Sequence, residues 1–212
     1  MKIGILGSGV VAQTLAAGFI KHGHDVTVGT SNSSKLKDFQ EKNPKAKVAS
    51  FADTVSFGDM IVLAVKGTAA EDVVKSVASG LAGKTVIDTT NPIANQPPVN
   101  GVIQYFTKMN ESLMERLQEI APAANFVKCF NSVGSPYYVN PQFPGGKPTM
   151  FICGNSDAAR REVKEILDVF GWETSDMGKA EAAGTIESLC ILWCIPGMTG
   201  GGWSHAFKLL KP

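Results

Sequence analysis

The chain has 212 residues, 44% of them hydrophobic and 18% charged, with a net charge of +1. Such a chain folds as a globular protein, and its near-balanced charge gives no electrostatic basis for nucleic acid or an anionic membrane as partner. No apolar run approaches the roughly 20 residues that a membrane-spanning helix needs. The opening MKIGILG has one Lys and a short apolar run leading directly into glycines, unlike a signal peptide, so the expected location is cytoplasmic. The cysteines Cys129, Cys153, Cys190 and Cys194 form no Cys-x-x-Cys pair. They read as small buried hydrophobes, with no metal site and no disulfide.

In chain order, KIGILG predicts a strand ending at Gly7. VVAQTLAAGFIKH then has helical spacing through Val11, Leu15, Phe19 and His22, with Gly23 as its stop. DVTVG is a second strand, SSKLKDFQEKN a polar helix and KVAS a short third strand. DMIVLAVK is a fourth strand, apolar almost throughout, as a strand covered on both faces should be. The helix AAEDVVKSVASGL and the strand KTVIDTT follow, then the helix ESLMERLQEIA and the strand NFVKCFN. Two later strands, PTMFICG and WETSDM, flank the helix SDAARREVKEILDVFG and are expected to extend the same sheet. The segment AEAAGTIESLCILWCIPGM has one apolar helical face, Ile186, Leu189/Cys190 and Trp193/Cys194, stopped at Pro196-Gly197.

This alternation predicts an α/β fold: a doubly wound, mainly parallel sheet of the NAD(P)-binding Rossmann kind with a short C-terminal helical extension. No linker interrupts it, so one domain is expected over residues 1–212. Two long connections, 89–109 and 131–148, each begin where a parallel strand ends. Ligands of open α/β sheets bind outside those strand ends, so both loops should face one crevice.

GILGSGVVAQ contains Gly7-x-Gly9-x-x-Ala12. Gly7 permits the tight turn out of the strand, Gly9 lets backbone approach a pyrophosphate, and Ala12 lets the helix pack closely on the strand. The phosphates would sit over Ser8, Val10 and Val11 at the positive helix N-terminus. At the end of the second strand, where an acid would hold the ribose of NAD, the chain reads Thr30, Ser31, Asn32, Ser33, Ser34 and Lys35. Hydroxyls, amides and one cation suit the 2′-phosphate of NADP(H). The same residues also suit an ordinary helix N-cap.

Taken together, KIGILGSGVVAQTLA, HDVTVGTS, DMIVLAVK, KTVIDTTNP, FVKCFNSVG and the closing HAFKLLK resemble the NADPH-dependent F-420 reductases, or F-420H2:NADP oxidoreductases. The resemblance covers essentially the whole chain. It implies hydride exchange between NADP(H) and coenzyme F-420, or FMN or FAD in its place, in a homodimer whose partner helps close the acceptor pocket. A similar module forms the cytosolic reductase part of transmembrane metalloreductases. The family's 2′-phosphate site commonly has a hydroxyl residue, then Arg, then a later Lys. Thr30 and Lys35 match, and Ser31 stands where the Arg would be, which weakens the expected grip.

Hydride transfer to such a ring needs positioning rather than a side-chain acid or nucleophile, so no catalytic residue is expected. By position, Ala64, Val65 and Lys66 should lie against the riboses and nicotinamide, followed by Asn91 and Pro92. Asn131, Ser132, Val133 and Gly134 would line the acceptor side, with Met198 and Trp203 able to cover a flat ring. Asn91 and Asn131 either bond the carboxamide or acceptor ring, or are turn formers. His22 and His24 read as surface residues and His205 as structural. Residues 178–212 would cover the acceptor site or the dimer interface. Reduction of a C=O or C=N group is an alternative that requires a proton donor, with Lys66, Lys128 and Tyr137 as candidates. A non-catalytic NADP-binding sensor is another.

Overall fold

The computed structural model describes residues 1–210. The strand β1 (Lys2–Leu6) lies between β2 (Asp25–Gly29) and β4 (Met60–Leu63) in a six-stranded, wholly parallel sheet. With β3 (Lys47–Ala49), β5 (Thr85–Asp88) and β6 (Asn125–Lys128), the order is β3-β2-β1-β4-β5-β6. Side chains alternate between two cores. Ile3, Ile5, Met60, Val62, Ile87 and Val127 pack on one face. Ile61, Leu63, Val86 and Phe126 pack on the other. Because both faces are covered, the central strands are continuously apolar rather than alternating.

The first core is closed by α1 (Val10–Lys21), through Leu15 and Phe19, and by α6 (Asp157–Val169), through Val163 and Leu167. The second is closed by α4 (Gly67–Val77), α5 (Leu113–Ile120) and α7 (Ala183–Met198). Ser112 and Ser156 cap α5 and α6, accepting from the N–H groups of Glu115 and Ala159. These Ser caps satisfy first-turn donors that would otherwise be orphaned.

Several elements depart from expectation. β7 (Thr149–Ile152) and β8 (Glu173–Asp176) do not extend the parallel sheet but form a two-stranded parallel ribbon of their own. Just past β7, Cys153 makes an isolated antiparallel bridge to Lys128 at the end of β6. The polar helix shrinks to a 3-10 turn, Ser33–Leu36, and a short α2 (Lys37–Lys42). An unexpected helix, α3 (Phe51–Phe57), is started by Ser50, whose Oγ accepts from Asp53 N–H at 3.1 Å. α7 continues through Pro196 to Met198. Proline there removes one donor within the last turn, which the Thr199 N–H closes on the Ile195 carbonyl at 3.0 Å.

The 89–109 connection is not irregular throughout. Val99 and Val102 pair around Asn100-Gly101, both at positive φ, and Ile93 pairs with Tyr105 further back. That is a two-residue hairpin of the Asn-Gly type, forming a flap over residues 93–105.

The segment after α7 is tied down. Trp193 and His205 exchange two hydrogen bonds of 2.8 Å and stack at 5.0 Å, so His205 is structural. The Phe207 carbonyl accepts from Thr149 N–H on β7 at 2.9 Å. The closing run HAFKLLK extends past the described residues at position 211. His22 and His24 are half-buried rather than on the surface, against the rings of Phe170 and Phe19. All four cysteines are buried free thiols. Among the described residues, no helix is long and apolar enough to cross a membrane.

Candidate functional site

A crevice of about 710 Å³ runs along the carboxyl ends of β1, β2, β4 and β5. Its middle is the glycine turn, where Gly7, Ser8, Gly9, Val10 and Val11 all line the wall. Gly7 sits at φ +135°, and a Cβ there would collide with the Ala64 carbonyl. Its N–H donates to Gly29 O at 2.9 Å, and Gln13 Nε2 braces Ser8 O at 2.9 Å. Gly9 is the N-cap of α1, with no side-chain cap and open space where a Cβ would stand. An uncapped helix N-terminus facing free space is a favourable place for an anion such as a phosphate. Ala12 is fully buried, as close helix–strand packing requires, and does not line the crevice.

At one end the wall is Thr30, Ser31, Lys35 and Phe51. Thr30 Oγ1 accepts from Asn32 N–H at 3.1 Å and donates to the Asn32 carbonyl at 3.2 Å. Asn32 Oδ1 accepts from the Ser34 N–H and hydroxyl at 3.1 and 2.6 Å. The N-cap is therefore formed, and it occupies the hydroxyls of Thr30 and Ser34. Ser31 and Lys35 remain exposed on the crevice wall.

The other end is built by Ala64, Val65 and Lys66, by the start of α4 (Gly67, Thr68, Ala69), and by Thr89, Thr90 and Asn91. Ile93, Ala94 and Asn95 of the flap close it. Thr68, Thr90, Ile93 and Phe51 were not foreseen; only the long loop after the fifth strand signalled any of them. Pro92 is buried, and its carbonyl accepts from Phe106 N–H at 2.9 Å.

The loop after β6 behaves differently from expectation, since none of residues 131–148 lines the crevice. Asn131, Ser132 and Val133 are buried, and Val133 belongs to the core. Gly134 packs against the Trp193 indole. Asn91 Nδ2 donates to Asn131 O at 2.9 Å, and Asn131 Nδ2 donates to Asn91 Oδ1 at 3.1 Å and to Ile186 O at 2.9 Å. Asn131 thus reaches the crevice only through Asn91. Met198 and Trp203 are exposed beyond the crevice, with the Trp203 ring laid over Gly197 and 5.3 Å from Trp193.

Of the candidate proton donors, Lys66 lines the crevice, whereas Tyr137 is set against Phe143 outside it. Lys128 is wholly buried, 2.7 Å from both Asp88 and Glu187. Burial alone would lower its pKa, but the two carboxylates outweigh burial and hold it up at about 12. The signal for this cluster in the sequence is a lone charge in each of three apolar runs, VIDTT, FVKCF and TIESLC. Burial and the neighbouring sulfur and carboxylate groups push the Tyr105 hydroxyl up, so it stays a protonated donor, bonded to Glu187 O at 2.7 Å. Among the described residues, no group of three His, Cys, Asp or Glu side chains gathers as a metal site would.

Fold and crevice together have the form of a Rossmann-type dinucleotide-binding unit. Residues 2–92 match the family described as NADP oxidoreductase, coenzyme F-420-dependent. That match spans somewhat under half of the chain and is in keeping with the resemblance in its motifs. A solved structure described as an F-420-dependent NADP reductase from Arthrobacter sp. FB24 is 28% identical, with full coverage of both chains and a TM-score of 0.92. The metalloreductase STEAP3 of Rattus norvegicus is 28% identical over 95% of this chain and 39% of its own length. An NADPH-dependent reductive aminase of Aspergillus oryzae is 30% identical over 99% of this chain and 63% of its own. The chain thus spans less than two thirds of either curated relative.

Proposed function

We propose that the chain transfers a hydride between NADP(H), lying along the crevice, and a flat deazaflavin or flavin acceptor. The carrying observation is a crevice that joins a bare helix N-terminus and an acid-free, Lys35-bearing strand end to an apolar edge at Ile93. In this reading Gly7, Ser8, Gly9, Val10 and Val11 hold the pyrophosphate, with Ala12 setting the helix against the strand. Ser31 and Lys35 meet the 2′-phosphate beside Thr30. Ala64, Val65 and Lys66 flank the riboses and nicotinamide, and Asn91, seated on Pro92, fixes the carboxamide. NADPH supplies the hydride when bound. The chain orients the ring and excludes water, which suits a reaction without a side-chain acid.

The acceptor side is completed by the exposed Met198 and Trp203 with a second copy in place, so the working unit is a homodimer, and the largely buried Asn131–Gly134 turn supports that side from behind Asn91. The exposed apolar side chains Leu192 and Met198 on α7 support that. One cytoplasmic domain over 1–212, its 178–212 segment lying at the acceptor side or dimer interface, completes the reading. Buried reduced thiols agree with that compartment.

The test mixes the protein and NADPH with F-420, FMN or FAD and follows the nicotinamide absorbance band. Oxidation with a ring acceptor is expected. Oxidation only with a ketone and an amine would favour the reductive-aminase relative's chemistry, with Lys66 as the crevice's proton donor. No oxidation with tight NADPH binding would favour a sensor.

A further inference from the structure

The crevice makes no direct use of the charged cluster buried behind it. Lys128 Nζ lies 2.7 Å from Asp88 Oδ2 and 2.7 Å from Glu187 Oε1, and it donates to Thr90 O at 2.9 Å. All three side chains are shut off from water. Buried charges are costly to desolvate and persist where every member is well satisfied. Here each carboxylate has a second task. Asp88 Oδ1 accepts from the Thr90 N–H and hydroxyl at 2.9 and 2.7 Å. Glu187 accepts from the N–H groups of Leu113 and Met114, the first turn of α5, at 3.0 and 3.1 Å. The backbone of the same α7 turn is used as well. Glu187 O takes the Tyr105 hydroxyl, and Ile186 O takes the Asn131 amide.

These bonds join the ends of β5 and β6 to α5, α7 and the flap. They converge on Thr90 and Asn91, which line the crevice, while Lys128, Asp88 and Glu187 do not. A second observation agrees. Phe130, between the cluster and Asn131, is held at φ +60°. A bulky side chain adopts that backbone only where its surroundings dictate it.

We infer that Lys128, clamped by Asp88 and Glu187, is a positioning residue for hydride transfer, setting the Thr90–Asn91–Asn131 wall at the nicotinamide end of the crevice. The inference rests on the cofactor reading above. The cluster touches neither cofactor nor acceptor, and it leaves the phosphate-binding end to α1 and Lys35.

Lys128→Met would strand two buried carboxylates and destabilise the fold too strongly for a clean rate comparison, so the near-isosteric Glu187→Gln and Asp88→Asn carry the test in the full chain. Each folded variant should bind NADPH within about twofold of wild type, because the phosphate end is untouched. Its turnover with FMN or F-420 should fall about tenfold or more at unchanged KM for NADPH, since small misplacements at a reacting centre are costly. The emission of bound NADPH, which reports the nicotinamide's surroundings, should change as well. Folded variants with wild-type turnover and wild-type emission would overturn the inference. If wild type oxidises NADPH with no ring acceptor, the functional reading fails. Altered emission at unchanged affinity then still upholds the positioning role, and unaltered emission still removes it.

Discussion

Asn91 and Asn131 hold each other across the ends of two neighbouring strands, Asn91 Nδ2 on the Asn131 carbonyl at 2.9 Å and Asn131 Nδ2 on Asn91 Oδ1 at 3.1 Å. They are therefore neither independent ligand donors nor independent turn formers. Asn131 is 4% exposed and also satisfies the Ile186 carbonyl. Asn131→Ala leaves two acceptors without that donor and should destabilise the fold by about 1–3 kcal/mol, read by urea denaturation. A variant as stable as wild type would mean that the pair is dispensable to the fold.

Gly9→Ala separates fold from cofactor. Gly9 has φ −78°, and a Cβ there meets no protein atom within 4 Å. The melting temperature should hold, while NADPH Kd in a fluorescence titration should rise about tenfold or more, because the methyl stands where the pyrophosphate approaches. Unchanged affinity would remove the phosphates from this turn.

How far these relationships were legible in the sequence depended on whether they were local. The glycine turn, the acid-free strand end and the parallel strands are local patterns, and Gly7, Gly9, Ser31, Lys35 and Lys66 do share one crevice. The burial of Asn131–Val133 and the clamp on Lys128 depend on α7, more than 50 residues away in the chain, folding back over the β6 end. No local periodicity reports that. The Asn100-Gly101 hairpin carried an explicit signal in VNGV, obscured by the Pro- and Asn-rich segment around it. The β7–β8 ribbon misled because its residues have good strand character, and only its partner strand was unspecified.

His24 should make stability fall on acidification. Burial lowers its pKa below 6.5, helped by the amino terminus and His22. Below 6.5 the unfolded chain takes up a proton that the folded chain resists, so stability is lost as pH drops through that value. Between about pH 7.5 and about 5.5 the melting temperature should fall for wild type and fall less for His24→Gln. Parallel slopes would clear His24 of the effect.

Lys128 should have the opposite dependence, in a range far from neutrality. Its pKa is raised to about 12 in the fold from 10.5, so its contribution is complete below 10.5 and is lost as pH rises through about 12. Any break in a neutral-pH rate profile must then come from another group. Replacing it with Met should cost about 3–5 kcal/mol, the usual penalty for breaking a buried pair from one side. The measurement is the yield of folded protein and its urea midpoint. A soluble Lys128→Met variant of wild-type stability would show that the cluster holds nothing together.

The choice of NADP(H) over NAD(H) should depend chiefly on Lys35. The hydroxyls of Thr30 and Ser34 are already engaged by Asn32, which leaves Ser31 and Lys35 exposed at that end of the crevice. Lys35→Met should weaken NADPH by about tenfold and leave NADH nearly unchanged, because only NADPH carries the extra phosphate. Ser31→Arg adds a planar, permanently charged donor beside it and should tighten NADPH by a similar factor. Fluorescence titrations of both cofactors against both variants give four constants. Equal shifts for NADH and NADPH, or none for either, would move the 2′-phosphate away from this strand end.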